Sequence, residues 1–141
     1  MAIFQQNTNI TLQMRLQAYE RLSIFIERMH ATSLINRYYS LGASVQDLQL
    51  AMVQGIRAEF EHNISQQIYV SSEVWQTVKT VMEQEITMIN RIGSNFELGT
   101  PAANFIKALS EYVLTTESTL PTDIALETIN REAKSVLFQP A

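Results

Sequence analysis

The stretch Ser71–Ile92, SSEVWQTVKTVMEQEITMINRI, decides the fold class of this chain. Its large apolar residues return every three or four positions, which is the spacing of one face of an α-helix and not the alternation of a β-strand. The two serines that open it are favoured at a helix N-terminus. The stretch therefore predicts a helix beginning near Ser71 or Ser72 that buries Trp75, Val78, Met82, Ile86 and Ile89, with Val74, Val81, Met88 and Ile92 alongside.

Two helices are predicted upstream of this stretch. Helical spacing of apolar residues runs from about Asn9 to Met29, and a turn around Ser33 to Tyr39 leads to Gly42 as a helix stop. Ser44 followed by Asp47 three residues later is typical of a capping box, which predicts the start of the next helix.

Two further helices are predicted downstream. Gly93–Gly99 interrupts the pattern, and then Thr100-Pro101 and Pro121 each mark a helix start, because proline fits the first helical position. The chain repeats no segment, and a few extended residues at Gln67–Val70 are the one hint of a strand. Residues 1–141 are thus expected to form a single all-α domain, a compact bundle of about five helices with short connections.

The composition favours a protein that is assembled with a partner. Charged residues make up 17% of the chain, below the usual ~25%, while Gln, Asn, Thr and Ser together number 43. An uncharged polar surface is easier to bury against another protein than a charged one. The net charge of −4 and the lack of a basic cluster argue against nucleic-acid binding.

Several kinds of chemistry are excluded or unsupported. With no cysteine, the chain has no disulfide framework, no cysteine-based zinc site and no cysteine nucleophile. It also lacks the glycine-rich phosphate loops and the G-x-S-x-G elbow, so no cofactor is predicted. The N-terminus has no signal-peptide features and no window is apolar enough to span a membrane, so a cytoplasmic location is expected, including the inner face of the membrane.

Three charged residues are surrounded by apolar neighbours at helical spacing: Glu85 most clearly, and also Arg15 and Glu59. A carboxylate in such a place is exposed at a subunit surface, paired with a cation, or shifted toward its neutral form. We predict a buried polar cluster in which Arg15 pairs with Glu59 or Glu85, and His62 and Gln66 complete the hydrogen bonds. The polar residues after His62 would satisfy the carbonyl groups at that helix end.

A metal site is the alternative interpretation of some of these residues. Glu-x-x-His occurs twice, at Glu27–His30 and Glu59–His62, and uses both histidines of the chain. Di-iron helical bundles use this spacing because it places both side chains on one helical face. Glu85 would add a third carboxylate, although Glu27 falls on the polar side of its helix.

Tyrosines and small residues indicate surfaces for contact with a partner. Tyr38, Tyr39 and Tyr69 are candidates for an interaction surface or for packing at the edge of the core. A smooth ridge where another helix could approach closely is formed by Ala51, Gly55 and Ala58.

Two stretches, Thr11–Met29 and Ile56–Ser71, resemble an uncharacterised family of bacterial all-helical proteins, through the motifs RLQAYERL and EHNISQQIYVS. The resemblance implies that relatives carry an N-terminal membrane anchor. Ten residues stand here before the matching stretch, so we expect either a soluble member of the family or a truncated one. Membrane contact would then require an anchor outside this chain. The residues within the matching stretches include Arg15, Glu59, His62, Gln66 and Gln67, whereas His30 lies just outside them.

Two functions follow as hypotheses. The first is a non-enzymatic helical module for protein–protein interaction or assembly, self-associating into a homo-oligomer and binding protein partners but no nucleic acid. The alternative is a metal–carboxylate helical bundle with redox or hydrolytic activity that uses Glu59, His62 and Glu85.

Overall fold

The computed structural model describes residues 2–116 and 120–138, with side chains from residue 10 onward. This part of the chain is all-helical, as predicted, but it contains six α-helices instead of about five, and one short 3-10 helix. The helices are α1 Ala2–Arg28, α2 Ala31–Tyr38, α3 Val45–Asn63, the 3-10 helix Ile64–Tyr69, α4 Ser72–Gly93, α5 Ala102–Thr116 and α6 Pro121–Leu137.

The additional helix is α2, which forms where a turn was predicted. His30 caps its N-terminus, because the Nδ1 atom accepts a hydrogen bond from the Thr32 N–H at 3.3 Å. Leu34 is completely buried in the core. A helix of eight residues is unstable alone in water, so packing against the rest of the bundle stabilises α2. Of the residues expected to be extended at Gln67–Val70, Gln67–Tyr69 belong to the 3-10 helix, and only Val70, which caps its C-terminus, has extended dihedral angles.

The predicted caps are largely confirmed. Ser44 and Asp47 form the complete capping box of α3, and Gly42 has a positive φ of 85° in the turn before it. Pro121 is the first residue of α6. Helix α5 begins one residue after Pro101, and α1 begins at Ala2 instead of near Asn9.

Helix α4 lies at the centre of the bundle and packs against α1, α3, α5 and α6. Its predicted apolar row is buried, and Trp75 stacks on Phe60 of α3 with 5.4 Å between the ring centroids. Phe60 in turn contacts Phe25 of α1 at 6.1 Å. The three rings join three helices into one core, while α6 packs along α1 and α4.

The loop between α2 and α3 is paired with the loop between α4 and α5, an arrangement that we call the loop clasp. Each loop contains a Leu-Gly pair whose glycine has a positive φ, 85° at Gly42 and 86° at Gly99. Two backbone hydrogen bonds relate the loops by an approximate twofold axis: Val45 N–H to Thr100 O at 2.7 Å and Ala102 N–H to Ala43 O at 3.0 Å. The two loops are therefore structurally equivalent. The sequence did not predict this repeat, because the loops share only two residues, Leu and Gly.

The residues of α1 from Ile10 to Met14 lie outside the core. Every residue from Ile10 to Met14 is exposed, and the first buried side chain is that of Ala18. The segment Ala2–Met14, which we call the α1 arm, spans roughly 20 Å at the rise of an α-helix. The side chains from Ile10 to Met14 are thus only partly covered by the rest of the bundle.

Candidate functional site

The five residues predicted to form one buried polar cluster do not come together: Glu59 and His62 line one depression, and the other three have different surroundings. Arg15 contacts Tyr19, Glu59 contacts arginines of α1 and α2, and His62 is exposed. Gln66 and Glu85 are the two members that are buried, with 7% and 4% of their surfaces exposed. The single-cluster prediction is therefore wrong, because each helix turns its polar residue toward a different neighbour.

Glu59 of α3 connects α3 to α1 and α2. Its Oε1 atom accepts a hydrogen bond from Arg28 Nε at 2.6 Å, and its Oε2 atom lies 3.9 Å from Arg37 Nη2. The predicted cation, Arg15, is replaced here by Arg28. Because 44% of the Arg28 side chain is exposed, this ion pair contributes little to stability.

Of the polar residues expected to satisfy the carbonyl groups at the end of α3, Asn63 does so, whereas Gln66 donates to Ser65 Oγ and Arg21 of α1 supplies the other donor. Asn63 Nδ2 donates to Glu59 O at 2.8 Å, and Arg21 Nη2 donates to His62 O at 3.3 Å. At the end of α1, Arg37 Nη2 donates to Arg28 O at 2.9 Å. These polar residues therefore close helix ends, which leave carbonyl groups without partners inside the helix.

The side chains proposed as metal ligands do not converge. Glu27 is exposed, His30 caps α2, and His62 is exposed near the end of α3. Within residues 2–116 and 120–138, no group of three or more His, Asp or Glu side chains could hold a metal ion.

The tyrosines also differ from the prediction. Tyr38 packs across Gly55 of α3, where even a Cβ atom would overlap its hydroxyl group, so α2 of the same chain covers the middle of the ridge of small residues. Ala51 is half-buried and Ala58 is exposed. Tyr69 is half-buried, and Tyr39 remains exposed over 42% of its surface. Tyr39 is therefore the one of the three that keeps a large exposed surface.

A polar joint that was not predicted centres on Glu132 of α6. Its Oε2 atom accepts hydrogen bonds from the Tyr19 hydroxyl at 2.8 Å and from the Ser71 N–H at 3.0 Å, and Arg15 donates to the same hydroxyl at 3.1 Å. Ser71 is also the N-cap of α4. The Glu132 joint thus fixes α1, α4 and α6 to one another.

The pKa values of the joint reflect these contacts. Burial alone would raise the pKa of the Glu132 carboxyl, but hydrogen bonds from Ser71 and Tyr19 and the charge of Arg15 outweigh it, so the pKa lies below its ordinary value. Burial and the bond to Glu132 raise the pKa of the Tyr19 hydroxyl. The sequence held a signal for Glu132, because its neighbours at helical spacing are Ala125, Ile129 and Val136.

An open groove runs along α4 on the side facing α5 and α6, and we call it the α4 groove. Its volume is about 620 Å³, and Tyr112 of α5 and Pro121 of α6 form part of its wall. A second depression of about 540 Å³ continues it toward Glu73 and Ile124 and shares four of its lining residues. The lining along α4 from Glu73 to Arg91 covers roughly 27 Å at the rise of an α-helix.

The α4 groove is lined mainly by amides, hydroxyls and apolar groups. One row along α4 consists of Gln76, Thr80, Gln84 and Thr87. Of its charged residues, Arg91 has its guanidinium 5.8 Å from the centre of the Tyr112 ring, and Glu83 lies 3.9 Å from Arg57. Together with Lys79, these side chains leave the groove with little net charge.

Glu85 lies against the α4 groove and is the chemically unusual residue of the molecule. Its side chain has no hydrogen bond or ion pair with any described residue, and apolar α4 residues surround it. Burial raises the pKa of its carboxyl from 4.5 to about 7. Glu85 is thus a buried carboxyl among apolar residues, as the sequence indicated, but the predicted partner Arg15 does not pair with it.

Comparison with known proteins gives a family but no function. In the described part of the chain, no helix is long and apolar enough to span a membrane. A family model described as a family of unknown function, DUF7935, matches residues 1–136, in line with the resemblance to an uncharacterised family. No curated protein and no solved structure matches the chain. Since the match covers almost the entire sequence, the chain belongs to the DUF7935 family.

Proposed function

We propose that this protein is a non-enzymatic helical interaction module that self-associates through the α4 groove. The observation that carries the proposal is the position of Glu85, an unpartnered carboxyl buried against an open groove of about 620 Å³. A bundle has no structural use for such a group, because burying it without a partner is destabilising. Groups of this kind are commonly retained where a site needs them.

The character of the groove favours a protein partner over a small molecule. It is long and shallow, whereas small-molecule sites are usually enclosed and bury most of the ligand. Its row of Gln and Thr side chains tolerates burial, and Met88, Tyr112 and Ile124 supply apolar area. Helical grooves with this mixture commonly accept a helical segment of a partner.

Self-association can be measured by sedimentation velocity over a series of protein concentrations. We expect the wild-type protein to change from monomer to dimer as concentration rises. Gln84→Lys places a charge in the groove and should keep the protein monomeric. Gln54→Lys, the same change at an exposed site on α3, should leave dimer formation intact.

The outcome against the proposal is equally clear. A wild-type protein that stays monomeric at the highest attainable concentration contradicts self-association. Dimer formation that survives Gln84→Lys unchanged would place the interface away from the α4 groove.

A further inference from the structure

We infer that the segment bound in the α4 groove is the α1 arm, Ala2–Met14, of a second copy of this chain. The inference rests on the proposed self-association through the groove and identifies the segment that enters it. In the resulting dimer each subunit would place its arm in the groove of the other, which gives one twofold-symmetric interface.

The exposure of the arm is the first argument. Ile10, Leu12 and Met14 are 44%, 37% and 42% exposed, so three large apolar side chains within five residues face solvent. They stand in the first half of α1, before its first buried side chain at Ala18. Ile10 and Met14 lie four residues apart on one face of the helix, so insertion of that face into a groove would cover both side chains, while Leu12 lies on the opposite face.

The chemical match between arm and groove is the second argument. Residues 1–14 contain no charged side chain, and seven of these fourteen residues are Gln, Asn or Thr. The groove offers a row of Gln and Thr side chains beside the apolar groups of Met88, Tyr112 and Ile124. An uncharged amide-rich helix can exchange hydrogen bonds with that row without burying a charge.

The dimensions of the two surfaces are the third argument. The arm is roughly 20 Å long and the groove roughly 27 Å, so the arm fits within it. One face of the arm and the eleven lining residues of the main groove would take part on each subunit, which approaches the roughly 20–30 residues per side that stable protein interfaces use.

The arm would also cover Glu85, which makes the dimer sensitive to pH. Other titratable groups facing the groove are Glu73, Lys79, Glu83 and Arg91 on α4 and Tyr112 on α5, while the lining from α6 carries no charge. An uncharged arm favours the neutral form of the Glu85 carboxyl, so each site would take up a proton on binding once the free carboxyl is ionised. With two sites and a pKa of about 7, the dimer should be about a hundredfold weaker at pH 8 than at pH 6.

The test uses full-length chains and the natural lack of cysteine. Ile10→Cys and Gln84→Cys chains are mixed and oxidised, and a disulfide between the two chains is expected at high yield. Ile10→Cys mixed with Gln54→Cys is the control and should give little product. In parallel, Ile10→Asp should abolish the dimer, whereas Ile24→Asp, at a similarly exposed site on α1 outside the arm, should not.

The possible failures are distinguishable. If Gln84→Lys disrupts the dimer but Ile10→Asp and the disulfide mixture have no effect, the groove is the interface and the arm is not its ligand. If every variant, including wild type, stays monomeric, the proposed function itself is wrong. A dimer that becomes stronger from pH 6 to pH 8 also contradicts the arm as the bound segment, because an ionised Glu85 would favour binding only opposite a cationic segment. In either case Glu85→Gln should remove the dependence of dimer formation on pH.

Discussion

The Glu132 joint and the α4 groove contain the same chemical group in opposite circumstances. Glu132 is half-buried and accepts two hydrogen bonds that fix three helices, and its pKa lies below the ordinary value. Glu85 is more deeply buried, has no partner among the described residues, and its pKa is raised to about 7. Glu132 therefore stabilises the packing of three helices, whereas Glu85 destabilises the folded protein beside an open groove.

The two carboxyl groups also give stability opposite dependences on pH. The Glu85 carboxyl titrates near 4.5 when unfolded and near 7 when folded, so its contribution is complete below about pH 4.5 and is lost as pH rises toward 7. The Glu132 carboxyl has a lowered folded pKa, so its contribution is present above the unfolded value and is lost as pH falls through the folded one.

The largest effect is expected for Glu85→Gln. The amide has the shape of the neutral carboxyl but does not ionise, so the variant should be more stable than wild type by about 3 kcal/mol at pH 8 and equally stable near pH 4. Urea unfolding of both proteins at the two pH values measures the difference. Glu83→Gln, at an exposed site on the same helix, serves as the control and should not change the pH dependence.

Glu132→Ala is expected to destabilise the protein by about 2 kcal/mol at pH 7, because the Tyr19 hydroxyl and the Ser71 N–H both lose their acceptor. Glu132→Gln keeps one acceptor oxygen and should cost less. Urea unfolding at pH 7 measures both losses. Equal stability of Glu132→Ala and wild type would show that the joint does not hold the helices together.

Tyr19→Phe should give the smallest change, a loss of about 1 kcal/mol. The ring still fills the core, but Glu132 loses one of its two donors and Arg15 loses its acceptor. In a double mutant with Glu132→Ala the two losses should not add, because both remove the same hydrogen bond. Additive unfolding free energies would argue against a direct interaction between these side chains.

The contrast also explains how much could be read from the sequence. Helix spacing and caps predicted most helices, because they depend on residues a few positions apart. The anomaly at Glu85 was visible for the same reason. Partners of polar residues were missed, since they depend on which helical faces meet: Arg15 approaches Tyr19 and Glu132 instead of Glu59. Helix α2 was missed because packing of Leu34, not local sequence, stabilises it.

The loop clasp has a consequence for the order of folding. Its two hydrogen bonds join positions more than fifty residues apart, so they bring distant parts of the chain together only at a considerable loss of chain entropy. We expect α3 and α4 to associate first and the clasp to close afterwards. The amide hydrogens of Val45 and Ala102 would then gain protection from exchange late in folding and at the same time. Their protection would mark the moment at which the two loops of the clasp pair.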